Sequence, residues 1–113
     1  MIPKGQRVKR ALFPGVLKSG KAFFSERLTL RVSSGDSGKN KFSFVTPKTV
    51  SKKAVERNFL RRRGYAAVSK INNRINPGHI FIFSFKKGTG IIPYKEIEED
   101  VVFLIKKAGL FKG

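Results

Sequence analysis

The chain has 113 residues, a length that suits one domain spanning 1–113, and a formal charge of +18. Its apolar content of 40%, with eleven phenylalanines, supplies a packed core and excludes a disordered polycation. Cysteine is absent, which excludes disulfides, zinc ribbons and zinc fingers, and no apolar run approaches the ~18 residues of a membrane span.

The N-terminus, Met1 to Arg7, offers no apolar stretch for a signal peptide, so a cytoplasmic protein is expected. The acids are unevenly placed. Glu96, Glu98, Glu99 and Asp100 form one cluster, leaving 22 Lys or Arg against 3 acids in residues 1–95. Self-repulsion on that scale opposes a compact state unless a polyanion neutralises it. Nucleic acid is the expected partner. A membrane surface is the weaker rival, because no long amphipathic helix with an aromatic face is present.

In chain order, Lys9 to Lys18 suggests a short helix interrupted by Pro14 and Gly15, with Gly20 as its stop. Residues 22–24 suggest a short extended piece. From Arg27 to Val32 the pattern alternates: Leu28, Leu30 and Val32 point to a core, and Arg27, Thr29 and Arg31 to solvent. That places Arg27 on an exposed strand face. Ser33 to Asn40, rich in Gly and Ser, predicts a hairpin loop, with Phe42 to Thr46 as the returning strand ended by Pro47. A helix is predicted from about Ser51 to Asn73, then a turn at Asn76-Pro77-Gly78. Ile80 to Phe85 is apolar on both faces, which suggests a central strand covered on both sides, or one exposing an aromatic row to a ligand. Pro93 suits the first turn of a final helix. Its buried stripe is Ile97, Val101, Leu104, Ile105 and Ala108, and Gly109 closes it. Acids early and Lys106 and Lys107 late agree with the helix macrodipole. The order implies an α+β fold, a two-layer α/β sandwich with a single mixed sheet and flanking helices.

Residues 47–65 carry the chemistry. Seven of these nineteen residues are basic and one is acidic. At roughly 100° per residue, Arg57, Asn58, Arg61 and Tyr65 fall within about one third of the helix circumference. Leu60, Gly64, Ala67, Val68 and Ile71 make the adjoining core stripe. A packed helix presenting a row of guanidiniums suits phosphate binding. Lys52 and Lys53 sit where the dipole favours acids, so phosphates are expected at that helix start. Gly64, about 1 kcal/mol worse than Ala in a helix, marks a close approach to the sheet. His79, the only histidine, has no acidic or thiol cluster around it and is taken as structural. The same scarcity of acids argues against a metal-dependent nuclease site on this chain. Lys41-Phe42-Ser43-Phe44-Val45 offers rings of the kind that stack on single-stranded RNA, although the segment before it does not fit an RNA-recognition motif.

Pro47-Lys48, Val50-Ser51-Lys52-Lys53-Ala54-Val55, Arg57-Asn58 and Leu60-Arg61-Arg62 together resemble the signature of the bacterial ribonuclease P protein component. Arg7-Val8-Lys9-Arg10 with Phe13 resembles the family's N-terminal helix, and the order of elements agrees over nearly the whole chain. Two positions depart from the family pattern: Phe59 and Tyr65 stand where it has arginine, with Arg63 between them on another face. The resemblance implies a left-handed βαβ crossover, against the right-handed rule for parallel connections. It also implies a division of labour. A catalytic ribonuclease P RNA with bound Mg2+ removes the 5′ leader of precursor tRNA, while the protein contributes phosphate contacts and a leader cleft. Candidate RNA-binding residues are Lys48, Lys52, Lys53, Arg57, Asn58, Arg61, Arg62 and Tyr65; candidate leader-cleft residues are Lys9, Arg10 and Phe13. No catalytic residue, metal site, bound cofactor or obligate protein partner is expected of the chain itself. The alternative is a structural RNA-binding protein, such as a small ribosomal protein.

Overall fold

The computed structural model describes residues 15, 16, 18, 20–35, 38–47, 50, 52–86 and 92–112. Most of the helix expected over 9–18 therefore lies outside the described residues. Of that segment, Gly15, Val16 and Lys18 are helical, and the Gly20 N–H closes the last turn on the Val16 carbonyl at 2.8 Å. Four strands follow, β1 (Lys21–Phe24), β2 (Leu28–Ser34), β3 (Lys41–Val45) and β4 (His79–Phe85). Helix α1 (Ala54–Ile71) and a 3-10 turn (Asn72–Arg74) separate β3 from β4, and α2 (Tyr94–Lys107) follows β4.

The strands form one mixed sheet in the order β1-β2-β4-β3. β1 and β2 pair antiparallel, as do β2 and β4, whereas β3 and β4 are parallel. The hairpin expected across 33–40 is thus not formed. β4 instead lies between β2 and β3, an inner position that suits a strand apolar on both faces. A parallel neighbour requires a crossover, and α1 provides it. The tight hairpin is instead β1–β2, where Ser25 N–H donates to the Leu28 carbonyl at 2.9 Å and Leu28 N–H to Ser25 Oγ at 3.1 Å.

Register builds the core in rows across the sheet. Val32, Phe81 and Phe42 form one row, and Leu30, Phe83 and Phe44 the next. Phe42 stacks on Phe81 with centroids 5.1 Å apart, and Phe44 on Phe83 at 4.7 Å. Against this face pack Leu60, Ala67, Val68 and Ile71 of α1 and Ile97, Val101, Leu104 and Ile105 of α2, all buried. The opposite face of β4, Ile80 and Ile82, is buried with Val16 and partly buried Val45. Both faces of β4 are therefore covered. Gly109, at φ 76°, ends α2. Its N–H bonds the Lys106 carbonyl at 2.9 Å and Leu110 N–H bonds the Ile105 carbonyl at 3.1 Å, the paired pattern of a Schellman cap.

Arg27 is neither on a strand nor exposed, contrary to the alternation that suggested both. It lies in the β1–β2 turn with its side chain 23% accessible. Its guanidinium donates to Asp100 at 3.1 Å and Glu96 at 3.2 Å, and its backbone N–H to Asp100 at 3.1 Å. Asp100 also accepts from the Ser25 hydroxyl at 3.0 Å. The acid cluster thus clamps the first hairpin to α2, in addition to complementing the helix dipole.

Candidate nucleic-acid interface

The basic helix begins at Ala54, with Lys53 as an N-cap whose side chain makes no capping bond. The first helical bond runs from Arg57 N–H to the Lys53 carbonyl at 3.1 Å. Glu56 is the one acid in the first turn, and exposed Lys52 and Lys53 lie at this positive end of the dipole. Lys53 Nζ lies 3.9 Å from Glu56 Oε2, an exposed pairing of small energy.

Anchoring explains why this helix is rigid. A Cβ built on Gly64 would fall 2.3 Å from Cδ2 of Phe44 and 2.5 Å from its Cε2. The glycine therefore permits the close approach to the sheet that the sequence suggested. The next residue, Tyr65, is half-buried, its ring edge-on to Phe44 at 5.2 Å, and its oxygen accepts from the Phe44 N–H at 3.4 Å. Phe44 is on β3, an edge strand, so Tyr65 caps a backbone donor there as well as packing. On the opposite flank, the Arg63 guanidinium donates to the Ile92 carbonyl before α2, and Lys70 pairs with Glu98 at 3.3 Å. Glu98 also receives the Tyr94 hydroxyl. The Tyr94 pKa is raised above its ordinary value by desolvation, then by that hydrogen bond and the Glu98 charge.

These attachments sort the helix into faces. Arg63 and Lys70 are engaged with the α2 side. Arg57 and Arg61, partly exposed, follow each other one turn apart on the β3 side, and exposed Asn58 accepts from the Arg61 guanidinium through Oδ1. Arg62 is exposed on the outer ridge. The structure thus brings Lys52, Lys53, Arg57, Asn58, Arg61 and Arg62 together along the N-terminal half of α1, with Tyr65 beside them against the sheet. Lys48, Lys9, Arg10 and Phe13 lie outside the described residues. Val55 and Phe59, of which only Phe59 stood out in the sequence, as a departure from the family pattern, are further open side chains on this helix. Val55 is 64% exposed and Phe59 45% exposed; their i, i+4 spacing opposite the core stripe is the signal that marks them. Among the described residues, no group of three or more His, Asp or Glu could hold a metal ion, and no helix is long and apolar enough to cross a membrane.

A mixed sheet backed by two helices, one of them presenting clustered basic side chains along its N-terminal half, defines the class: an α+β protein with a surface suited to nucleic acid. The chain matches the family model described as Ribonuclease P over residues 2–109. It is 32% identical over 106 residues to the ribonuclease P protein component of Clostridium kluyveri, covering 92% of this chain and 94% of the relative. Against that of Chloroflexus aggregans it is 30% identical over 109 residues, covering 95% and 80%. The fold is similar to that of the Staphylococcus aureus RNase P protein, with a TM-score of 0.84 at 17% identity over 96% of this chain and 100% of that one. The Thermotoga maritima RNase P protein gives 0.81 at 19% identity, over 89% and 96%. The chain belongs to the bacterial ribonuclease P protein component family.

Proposed function

We propose that the chain serves ribonuclease P by docking the N-terminal half of α1 on the catalytic RNA, while its N-terminal segment and the adjoining sheet hold the 5′ leader of precursor tRNA. Family membership makes it the protein part of an endoribonuclease whose chemistry belongs to the RNA subunit. The observation that carries the docking reading is the seating of α1: a helix pinned by Gly64 and Tyr65 on Phe44 presents Arg57, Asn58, Arg61 and Arg62 as a fixed set. Side chains on a rigid element lose less freedom on binding phosphate than those of a flexible tail. The protein then contributes affinity and positioning, and the Mg2+ of the RNA subunit assists the phosphodiester hydrolysis. Dense positive charge at the RNA surface also takes over part of the neutralisation that free magnesium otherwise supplies.

The test is cleavage of 5′-labelled precursor tRNA by ribonuclease P RNA across a magnesium series, with and without the purified chain. The expected result is that the chain shifts efficient cleavage to lower magnesium and releases no leader by itself. Specific leader release by nuclease-cleared protein alone, or an unchanged magnesium requirement, refutes the proposal. A small ribosomal protein, the alternative from composition, is not favoured, because the family match covers residues 2–109.

A further inference from the structure

We infer that Phe59 is a stacking platform for an unpaired RNA base, set into a helix that otherwise grips phosphates. This rests on the reading that α1 meets RNA, and concerns which chemical group of the RNA the outer ridge takes.

At roughly 100° per residue, Val55, Phe59, Arg62 and Ala66 form the ridge of α1 directly opposite its buried stripe. Phe59 is 45% exposed and Val55 64% exposed, so neither belongs to the core. A solvent ridge in mid-helix is ordinarily filled by Ala, Lys, Glu or Gln, which have higher helix propensity and leave no ring in water. Phe24 and Phe103, also exposed, each have a lysine ammonium over the ring, from Lys86 at 5.7 Å and Lys107 at 5.6 Å. Among the described residues, no cation covers Phe59 in this way. Its surroundings are nevertheless mostly basic: Arg62 and Arg63 lie one turn on, Lys52 and Lys53 lie at the helix start, and Glu56 is the one acid a turn before it.

An aromatic ring amid phosphate-binding cations is the composition of surfaces that bind single-stranded nucleic acid, where the backbone pairs with the cations and a base stacks on the ring. Charge complementarity selects that occupant. A second copy of a chain with charge +18 would bring like charge against the ridge. The Val55–Phe59 pair is also too small to hold a protein partner by apolar area alone.

The chain contains no Trp, so Phe59→Trp installs a lone indole at the site. Bound to ribonuclease P RNA, this variant should keep near-native affinity and lose indole emission as a base stacks on it. Phe59→Ala should bind about 5- to 150-fold more weakly, as expected for losing one base–aromatic stack. Its log K against log salt slope should be unchanged, because no phosphate contact is removed. Thermal melting confirms that each variant is folded. If Phe59→Ala binds as wild type while Arg61→Ala binds weakly, the docking role of α1 stands and the stacking role of Phe59 is overturned. Unquenched indole in the RNA complex also overturns it, as does a change in self-association without a change in RNA affinity. If neither Phe59→Ala nor Arg61→Ala alters affinity, the docking reading fails and the inference fails with it.

Discussion

Gly64→Ala sets helix propensity against packing at one atom. In an isolated helix the added methyl stabilises by about 1 kcal/mol. Here it would lie 2.3, 2.5 and 2.7 Å from Cδ2, Cε2 and Cγ of Phe44, about 1 Å or more inside the ~3.5–4.0 Å optimum for carbon pairs. The ring has no room to retreat. It is 2% exposed, stacked on Phe83 at 4.7 Å and met by Tyr65 at 5.2 Å. Relief requires α1 to lift from β3, and overpacking of this kind costs about 1–3 kcal/mol. With the ring held on both sides the upper end applies, giving a net loss of about 2 kcal/mol after the propensity gain. At about 4 °C per kcal/mol for a chain of this size, Tm should fall by about 8 °C. Thermal unfolding followed by circular dichroism measures this directly. Phe44→Leu provides the second arm: it leaves a cavity by itself, but the double variant should be more stable than the sum of the single losses predicts. A Tm that rises in Gly64→Ala, or strict additivity in the double variant, would refute the seating of α1 on Phe44. Affinity for ribonuclease P RNA should fall with the displaced helix, because the arginine row moves with it.

Arg57→Ala and Arg61→Ala should each weaken binding to ribonuclease P RNA and flatten the log K against log salt line by up to about 1 unit per lost phosphate contact. Exposed Lys107 near the end of α2 is the control, and equal losses at all three positions would indicate diffuse charge instead of a docking helix. Asp100→Ala strips the acceptor from Ser25, from the Arg27 backbone and from its guanidinium. It should destabilise the fold by roughly 2–3 kcal/mol while leaving the salt slope of the remaining folded protein unchanged; a denaturant titration beside an RNA-binding series separates the two. Phe13→Ala, from the sequence-derived leader cleft, should weaken holoenzyme affinity for precursor tRNA more than for mature tRNA. Parallel losses on both substrates in a folded variant would exclude a leader contact.

Residue spacing alone determined which faces are buried. The alternation of Leu28, Leu30 and Val32, the stripes of both helices and the doubly apolar β4 all appear in the core as their periods require. Period reports burial, because a side chain's face follows from local backbone geometry. Gly64 was legible for a related reason: a residue unfavourable in a helix interior points to a close approach. Spacing also grouped Arg57, Asn58 and Arg61 on one flank. Strand partners were not legible. β2 and β3 are joined by a short Gly- and Ser-rich link and have matching apolar faces, yet β4 lies between them. The pairing partner is a property of the whole assembly, in which the doubly apolar β4 takes an inner position. Arg27 shows the same limit at one side chain. Its place in the alternation suggested solvent, whereas Asp100 and Glu96, some seventy residues later, enclose it once α2 packs beside the first hairpin. Tyr65 falls on the basic flank by angle, but the edge of β3 lies against that flank and engages its ring. The row of charge is thus written in the order of residues; which of its members remain open to a partner is set by what the tertiary fold brings against them.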